Sequence, residues 1–512
     1  MKVLVPQQIR ELDKRAIEEY AIPSVLLMEH AALCVVERIK ALDFAKRIVI
    51  VCGPGNNGGD GLAIARLLAG LENRRVDVFL VASPDKLSAD GKIYYEIIKK
   101  LGVHIISLNE GAEVLLEEYL NKATLIIDAL FGTGLTRPIE GKYRKVIEKI
   151  NEADAYVMSV DCPSGIETEE GKVLGTAVFA NETITFVAPK LGLLLYPAFE
   201  YTGEVRVVDI GIPKALLEEI KSPYWHIDRL EMRKYLPKRY SRSNKGTYGR
   251  VLAIGGQMGM SGAIVLASQA ALKVGAGLVT AAVPNSIHQV IECKLTEVMS
   301  LPLADKEGQL SEEAIQVLKP LIQKQDIVLI GPGMGRGTGA EKVVFQVLIS
   351  DKPCVIDADA LVLLKNKLEL LKNRKAPTIL TPHPGELAAL TGLTIQEIVD
   401  NPIKITKDFA SRYHVTMVLK TERTLVVEPT GNVYINTRGN SGMAKGGSGD
   451  VLSGVIAGLL AQGLLASASA QLGVYLHSYA GDRVAERKTT YAFLPTDLFE
   501  GIEQAFKELI GY

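Results

Sequence analysis

Apolar residues are distributed along this chain in two alternating patterns. Short, nearly continuous aliphatic runs such as Arg47 to Val51 (R-I-V-I-V) stop at a glycine- or acid-bearing turn, and longer stretches with apolar positions three and four apart follow them. The runs predict buried strands and the spaced stretches predict helices. In the first half the runs lie at Arg47 to Val51, Val76 to Val81, Thr124 to Ile127, Tyr156 to Val160, Glu182 to Val187 and Glu204 to Ile210. A second series begins at Arg250 to Ile254, passes through G-G-Q-M-G-M-S-G-A, a helical stretch and L-V-T-A-A-V, and continues with strands whose loops reach Gly335, Leu361, Leu387 and Thr424. Strands alternating with helices predict an α/β protein with a largely parallel sheet in each half. Between the halves, K-S-P-Y-W-H-I-D and the basic, Pro/Ser-bearing R-L-E-M-R-K-Y-L-P-K-R-Y-S-R-S-N-K-G break the pattern. The boundary is placed near residues 222 to 230, giving domains 1–224 and 225–512, and the basic stretch reads as a solvated linker.

Bulk properties narrow this picture. A chain of 512 residues exceeds one ordinary core, so at least two domains are expected. Hydrophobic residues at 47% with aromatics at only 6% favour an aliphatic α/β protein over an all-β or disordered one. The 58 Lys and Arg against 59 Asp and Glu leave no net field to attract nucleic acid or an anionic membrane. Cys34, Cys52, Cys162, Cys293 and Cys354 form no CxxC pair, which predicts reduced, mostly buried thiols. Residues 1 to 20 mix charges with Ile9, Leu12 and Ile17 as an amphipathic helix does, unlike a secretory segment, and a cytoplasmic protein is expected. Residues 454 to 476 are apolar, but Gln462, Ser467, Ser469 and Gln471 interrupt them, so a buried pair of core helices is predicted there and not a membrane span.

The candidate chemistry sits where strands end. From Asn440 to Gly454 the chain reads N-S-G-M-A-K-G-G-S-G-D-V-L-S-G, four glycines ahead of a buried-helix pattern. Glycine lets backbone N–H groups converge, and at a helix start they are unpaired and lie at the positive end of the dipole, so the loop reads as a phosphate cradle. Asp450 is anomalous beside an anion; it either caps the helix or takes a proton from a hydroxyl about to attack phosphorus. In the first half, C-G-P-G-N-N-G-G-D-G follows a strand and opens a helix as in a βαβ nucleotide-binding unit. It lacks the GxGxxG spacing and an acid for the ribose, which disfavours ordinary hydride transfer. Asn57, Asp128, Asp161 and Ser164 are expected to converge beyond the strands' carboxyl ends, an oxygen-rich set suited to a hard cation, although a capped turn is the plain alternative. His383, between two prolines, is expected to face a ligand, and Lys245 and Gly246 are candidate neighbours of a phosphate.

Taken together these residues resemble a known family. N-N-G-G-D at 56 to 60, D-A-L-F-G-T-G-L at 128 to 135, D-C-P-S-G at 161 to 165, N-K-G-T-Y-G-R-V-L at 244 to 252, G-P-G-M-G at 331 to 335, D-A-D-A-L at 357 to 361, T-P-H-P-G-E at 381 to 386 and G-G-S-G-D at 446 to 450 are similar to motifs of the bifunctional NAD(P)H-hydrate repair enzymes of bacteria. The resemblance runs over almost the whole chain. It implies a Rossmann-like epimerase domain followed by a ribokinase-like, ADP-dependent dehydratase domain. One departure is Asn244, where the family often has histidine.

By position, the resemblance implies that Asn57, Asp128 and Ser164 hold potassium. Asn56, Asn57, Gly58, Gly59 and Asp60, with Gly132, Thr133, Gly134, Leu135, Thr136, Arg137, Pro138 and Asp161, would meet the hydrated nucleotide in the epimerase. In the dehydratase, Ala263, Gly333, His383 and Asp450 would meet the hydrate. Lys420, Thr421, Glu422, Arg423 and Thr424, with Gly446, Gly447, Ser448 and Gly449, would hold ADP. The implied ligands are NADHX, NADPHX and ADP, with Mg²⁺ expected on general phosphoryl-transfer grounds. Asp450 and Asp161 are the expected proton-transfer residues, and a homo-oligomer is expected. A ribokinase-type small-molecule kinase and a non-catalytic nucleotide-binding protein are the rival readings.

Overall fold

The computed structural model describes residues 1–108 and 113–511. The chain divides into two compact units, Lys2–Tyr224 and Trp225–Tyr512, the latter taking in Met1. The first unit is built on seven parallel strands: β1 (Arg47–Cys52), β2 (Arg75–Leu80), β3 (His104–Ser107), β4 (Leu125–Ala129), β5 (Tyr156–Val160), β6 (Glu182–Phe186) and β7 (Glu204–Val208). Their order across the sheet is β3-β2-β1-β4-β5-β6-β7.

Side chains alternate across this sheet as the two-residue period requires. Ile48 and Ile50 join Leu12, Ile39, Leu62 and Ile98 in one core, whereas Val49 and Val51 join Leu116, Leu120 and Ile147 in the other. Helices therefore cover both faces, which is why the strands read as continuous aliphatic runs. The strand order reverses between β1 and β4, so a crevice opens at their carboxyl ends, where the turn before helix Asn56–Leu68 emerges. Gly53 is obligatory there, because a Cβ on it would stand 1.9 Å from the carbonyl oxygen of Leu130.

The second unit carries a ten-stranded sheet. Its strands are β8 (Tyr224–His226), β9 (Arg250–Ile254), β10 (Leu278–Pro284), β11 (Met299–Leu303), β14 (Ile327–Ile330), β15 (Cys354–Ile356), β16 (Thr378–Leu380), β17 (Thr416–Leu419), β18 (Leu425–Val427) and β19 (Val433–Ile435), with a separate small hairpin of β12 (Asp305–Lys306) and β13 (Gln309–Leu310). The order is β11-β10-β9-β14-β15-β16-β17-β18-β19-β8. Pairing is parallel from β11 to β17 and antiparallel from β17 through β19. The loop expected to reach Thr424 is present, and it leads into an antiparallel hairpin that the sequence pattern did not include. Strand β17 stops at Leu419, and residues 420–424 turn the chain back.

Helices Ser261–Lys273, Ser448–Ala461 and Ala466–Lys488 form the core against this sheet. Gly454 and Gly458 let the first two approach closely, since a Cβ on either would stand 2.1 or 2.3 Å from a carbonyl oxygen of Ala267 or Ala271. The apolar stretch 454–476 is thus the expected core helix pair, and among the described residues no helix is long and apolar enough to cross a membrane. Between the halves, K-S-P-Y-W-H-I-D carries β8 and the basic stretch opens with helix Arg229–Lys234, which Asp228 caps by accepting a hydrogen bond from the Glu231 N–H, while residues 238–247 run exposed as a solvated segment does.

Candidate active sites in the two units

In the second unit, loops from the carboxyl ends of β9, β14, β15, β16 and β17 converge. Gly331 packs so closely on Asp357 that a Cβ would stand 1.8 Å from its carbonyl oxygen, and Gly255 meets the carbonyl oxygen of Pro332 at 2.3 Å by the same measure. Into this corner points the amino end of helix Ser448–Ala461. Its cap residue is Gly447, in the left-handed region at φ 104°, and no side chain caps it. Asp450, in the first turn, is therefore not the cap. Gly447 rests against Leu266 of the facing helix, while a Cβ on Gly449 would lie 3.4 Å from Nζ of Lys420.

Lys420 links the acids of this corner. Its ammonium donates to Oδ1 of Asp357 at 2.8 Å and stands 3.7 Å from Oε2 of Glu386. Burial works to lower its pKa, but the charges of Asp357 and Glu386 override this and hold it above the usual lysine value. For Asp450, burial first and the charge of Asp357 second push the carboxyl up to about 7, against a partial lowering by Lys420. Of the other expected dehydratase residues, Ala263 and Gly333 touch: a Cβ on Gly333, at φ 60°, would stand 3.0 Å from that of Ala263 and 2.7 Å from the Met260 carbonyl oxygen. His383 is the cap of helix Pro384–Thr391, its Nδ1 accepting from the N–H groups of Gly385 and Glu386, while Nε2 stands 3.5 Å from Oε1 of Glu386. Thr421, Glu422, Arg423 and Thr424 form the β17–β18 turn, where Arg423 donates to the Thr437 carbonyl and Glu422 is exposed.

Lys245 and Gly246 lie elsewhere. They precede β9, at the amino end of a parallel strand, and neighbouring Gly249 packs on the carbonyl of Ala461. That is the far end of the 14-residue helix that the glycine loop opens, roughly 20 Å from it. A phosphate at the loop does not reach them.

In the first unit, Asn57, Asp128 and Ser164 do converge. Oδ1 of Asp128 accepts from the Ser164 hydroxyl at 2.6 Å, and Oδ2 accepts from the Ser164 N–H and the Ser159 hydroxyl, each at 2.8 Å. Burial raises the Asp128 pKa, and the hydrogen bonds from Ser164 oppose the shift. Asn57 donates from Nδ2 to the Val160 carbonyl at 2.6 Å, leaving its buried Oδ1 without a hydrogen-bond partner. A buried carbonyl oxygen left without a hydrogen-bond partner is a ligand that a hard monovalent cation can take. Gly132 stacks on Asn57, a Cβ there standing 3.3 Å from that of Asn57.

Asp161 ends β5 with φ 67°, a left-handed conformation rare for a residue with a Cβ. Its Oδ1 accepts from Nζ of Lys190 at 2.5 Å. Asp60 and Asp13 share this corner. Burial and then the charge of Asp161 raise Asp60 well above the carboxylate range, and the same two causes push Asp13 up to about 6. Sequence reasoning missed Asp357, Glu386, Lys190 and Asp13 as members of these sites. The first two stood inside quoted motifs, and Lys190 followed a strand in V-A-P-K-L-G, whereas Asp13 carries no local signal beyond being an acid on an amphipathic helix.

Fold and sites together define a two-domain α/β enzyme, a Rossmann-like unit followed by a ribokinase-like one. The sequence profile of a family described as NAD(P)H-hydrate dehydratase matches residues 251–504, and that of the YjeF-related protein N-terminus matches residues 24–192. The bifunctional NAD(P)H-hydrate repair enzyme of Moorella thermoacetica is 40% identical over 516 residues, covering 99% of this chain and 97% of the relative. That of Thermofilum pendens is 38% identical over 512 residues, covering 99% and 97%. A solved structure, the ADP/ATP-dependent NAD(P)H-hydrate dehydratase of Bacillus subtilis co-crystallised with ATP and Mg²⁺, is 28% identical and superposes with a TM-score of 0.49 over 56% of this chain and 98% of that one. The chain belongs to the bifunctional NAD(P)H-hydrate repair enzymes. It is an epimerase and a dehydratase in one polypeptide.

Proposed function

We propose that residues 225–512 dehydrate the S epimer of hydrated NADH or NADPH at the expense of ADP, with Asp450 as the base, and that residues 1–224 interconvert the R and S epimers through Asp161. In the hydrate, water has added across a ring double bond, leaving a hydroxyl on the carbon beside the ring nitrogen. Hydroxide leaves poorly and phosphate leaves well. Asp450 takes the hydroxyl proton as the oxygen attacks the terminal phosphorus of ADP, and AMP departs. The ring nitrogen's electron pair then expels phosphate, and loss of a proton from the neighbouring carbon restores the double bond. N–H groups of Gly446, Gly447 and Gly449 receive the phosphoryl charge, and Lys420 adds a cation beside them.

The observation that carries this reading is the carboxyl of Asp450, pushed up to about 7 by burial and by Asp357, at the amino end of a glycine-loop helix. A base poised near neutrality suits a hydroxyl. Mg²⁺ would arrive with the nucleotide's phosphates. Among the described residues no cluster of three or more His, Cys, Asp or Glu is arranged to hold a metal, and magnesium needs only one or two carboxylates beside phosphate oxygens. Asp357 and Glu386 are the carboxylates paired with Lys420 beside that loop.

In the epimerase, Asp161 takes the hydroxyl proton while the carbon–nitrogen bond opens, its electrons delocalising from the ring nitrogen into the conjugated carboxamide. Closure on the other face of the resulting aldehyde returns the proton and yields the other epimer. Potassium on Asn57, Asp128 and Ser164 would supply positive charge that orders these loops. The enzyme is proposed to work in the cytoplasm as a homo-oligomer, which sedimentation analysis tests.

Incubation with hydrated NADH and ADP, following the return of dihydropyridine absorbance, tests the whole reading. Asp450→Asn should lose the signal by at least about 100-fold while still binding ADP; full activity refutes the base assignment. A stable phosphorylated product would indicate a kinase instead. Asp161→Ala that still epimerises faster than the uncatalysed background would remove Asp161 from its role.

A further inference from the structure

The carboxylate of Asp161 is held from one side only. Lys190 donates to its Oδ1 at 2.5 Å, the Thr185 hydroxyl donates to the same oxygen at 3.3 Å and the Phe186 N–H at 3.4 Å. Among the described residues, every hydrogen bond to this side chain thus lands on Oδ1. The carboxylate is 14% exposed and Lys190 1%. The ammonium uses its other protons on the Thr185 hydroxyl at 2.8 Å and the Phe186 carbonyl at 2.9 Å. The backbone carrying it is pinned as well: the Leu4 N–H donates to the Pro189 carbonyl and the Leu191 N–H to that of Leu4. A lysine head with three acceptors on a pinned backbone has one position. Burying an ammonium this completely is costly, and an apolar residue of the same length would serve packing better. Asp13 and Asp60 are the other acids of this corner, and both feel the charges of Asp161 and Lys190.

We propose that Lys190 is the positioning residue of the epimerase: by fixing Oδ1 of Asp161 it leaves Oδ2 turned to the substrate as the atom that takes and returns the hydroxyl proton. This rests on the reading of Asp161 given above. Lys190 does not touch the hydrate. It acts through the carboxylate, holding it in one orientation, as the third member of a nucleophile–base–orienter set does for its base.

The test is a double-mutant cycle in the full-length protein. Asp161→Asn, Lys190→Met and the double variant are assayed for epimerisation, with dehydration of the S epimer measured in the same preparations to show that the chain is intact. Lys190→Met should lower the epimerase kcat by about 100-fold or more with KM moved less than about threefold, and the double variant should be no slower than Asp161→Asn alone. Retention of kcat within about threefold in Lys190→Met, a loss confined to KM, or losses that multiply in the double variant would each overturn the proposal. Where Lys190→Met alone leaves Asp161 unpaired and unfolds the first unit, Asp161→Asn and the charge-free double variant still decide: equal rates support the proposal, and a slower double variant overturns it. Full activity in Asp161→Asn would sink the Asp161 reading itself, whereas an inactive Asp161→Asn beside a fully active Lys190→Met sinks only the role of Lys190.

Discussion

A carboxylate in the first turn of a helix is ordinarily made more acidic by the dipole. Asp450 goes the other way, to about 7, because burial and the charges of Asp357, Glu386 and Asp359 outweigh both the dipole and Lys420. As a base it works only when ionised, so the dehydratase rate should rise with pH through about 7 and then level off. Asp357→Asn removes the largest like charge and should shift that limb to lower pH in a kcat profile, at some cost in rate because Lys420 loses its partner. The same shift has a stability consequence. The folded state holds this proton more tightly than the unfolded chain does, so the penalty grows as pH rises from about 4 and is complete above about 7. Asp450→Asn should therefore be the more stable protein at pH 8, by on the order of 2 kcal/mol in denaturant unfolding, while inactive as a dehydratase. Equal stabilities would show that the carboxyl is not held protonated near neutrality.

The element that everything in the second unit depends on is helix Ser448–Ala461, and it is held at its amino end by a residue far along the chain. His477, buried in helix Ala466–Lys488, donates from Nε2 to the Ser448 carbonyl at 2.9 Å. Burial lowers its pKa to about 4, so the ring is neutral at working pH. Its contribution to stability is present above about 6.5 and is lost as pH falls toward 4, since the unfolded chain takes the proton first. His477→Leu should raise the KM for ADP by about tenfold, since the cradle's first carbonyl loses its donor; His477→Gln, able to donate, should recover most of this. Placement of the central strands and the helices was largely legible in the sequence because those strands are buried on both faces and show as aliphatic runs, whereas the half-exposed edge strands β3 and β11 do not. The hairpin β18–β19 was not, because its short strands carry no signal separable from the turn at residues 420–424.

At the scale of the molecule, two chemistries share one chain because hydration produces two epimers and the dehydratase is proposed to take one. With a mixed hydrate preparation, Asp161→Ala should return absorbance in a fast phase equal to the S fraction and then proceed at the uncatalysed epimerisation rate, whereas the wild type runs to completion in one phase. A single complete phase in the variant would remove the need for the first domain. The alternation of strands and helices, the glycine loops and the acids at strand ends were determined by the sequence alone, since period, glycine content and turn chemistry are local properties. Which acid faces which was decided only by the tertiary structure. Lys190 meets Asp161 from 29 residues away, Lys420 meets Asp357 from 63 and Lys245 is removed from the phosphate site, because parallel strands bring distant loops to one edge and burial there sets their charges.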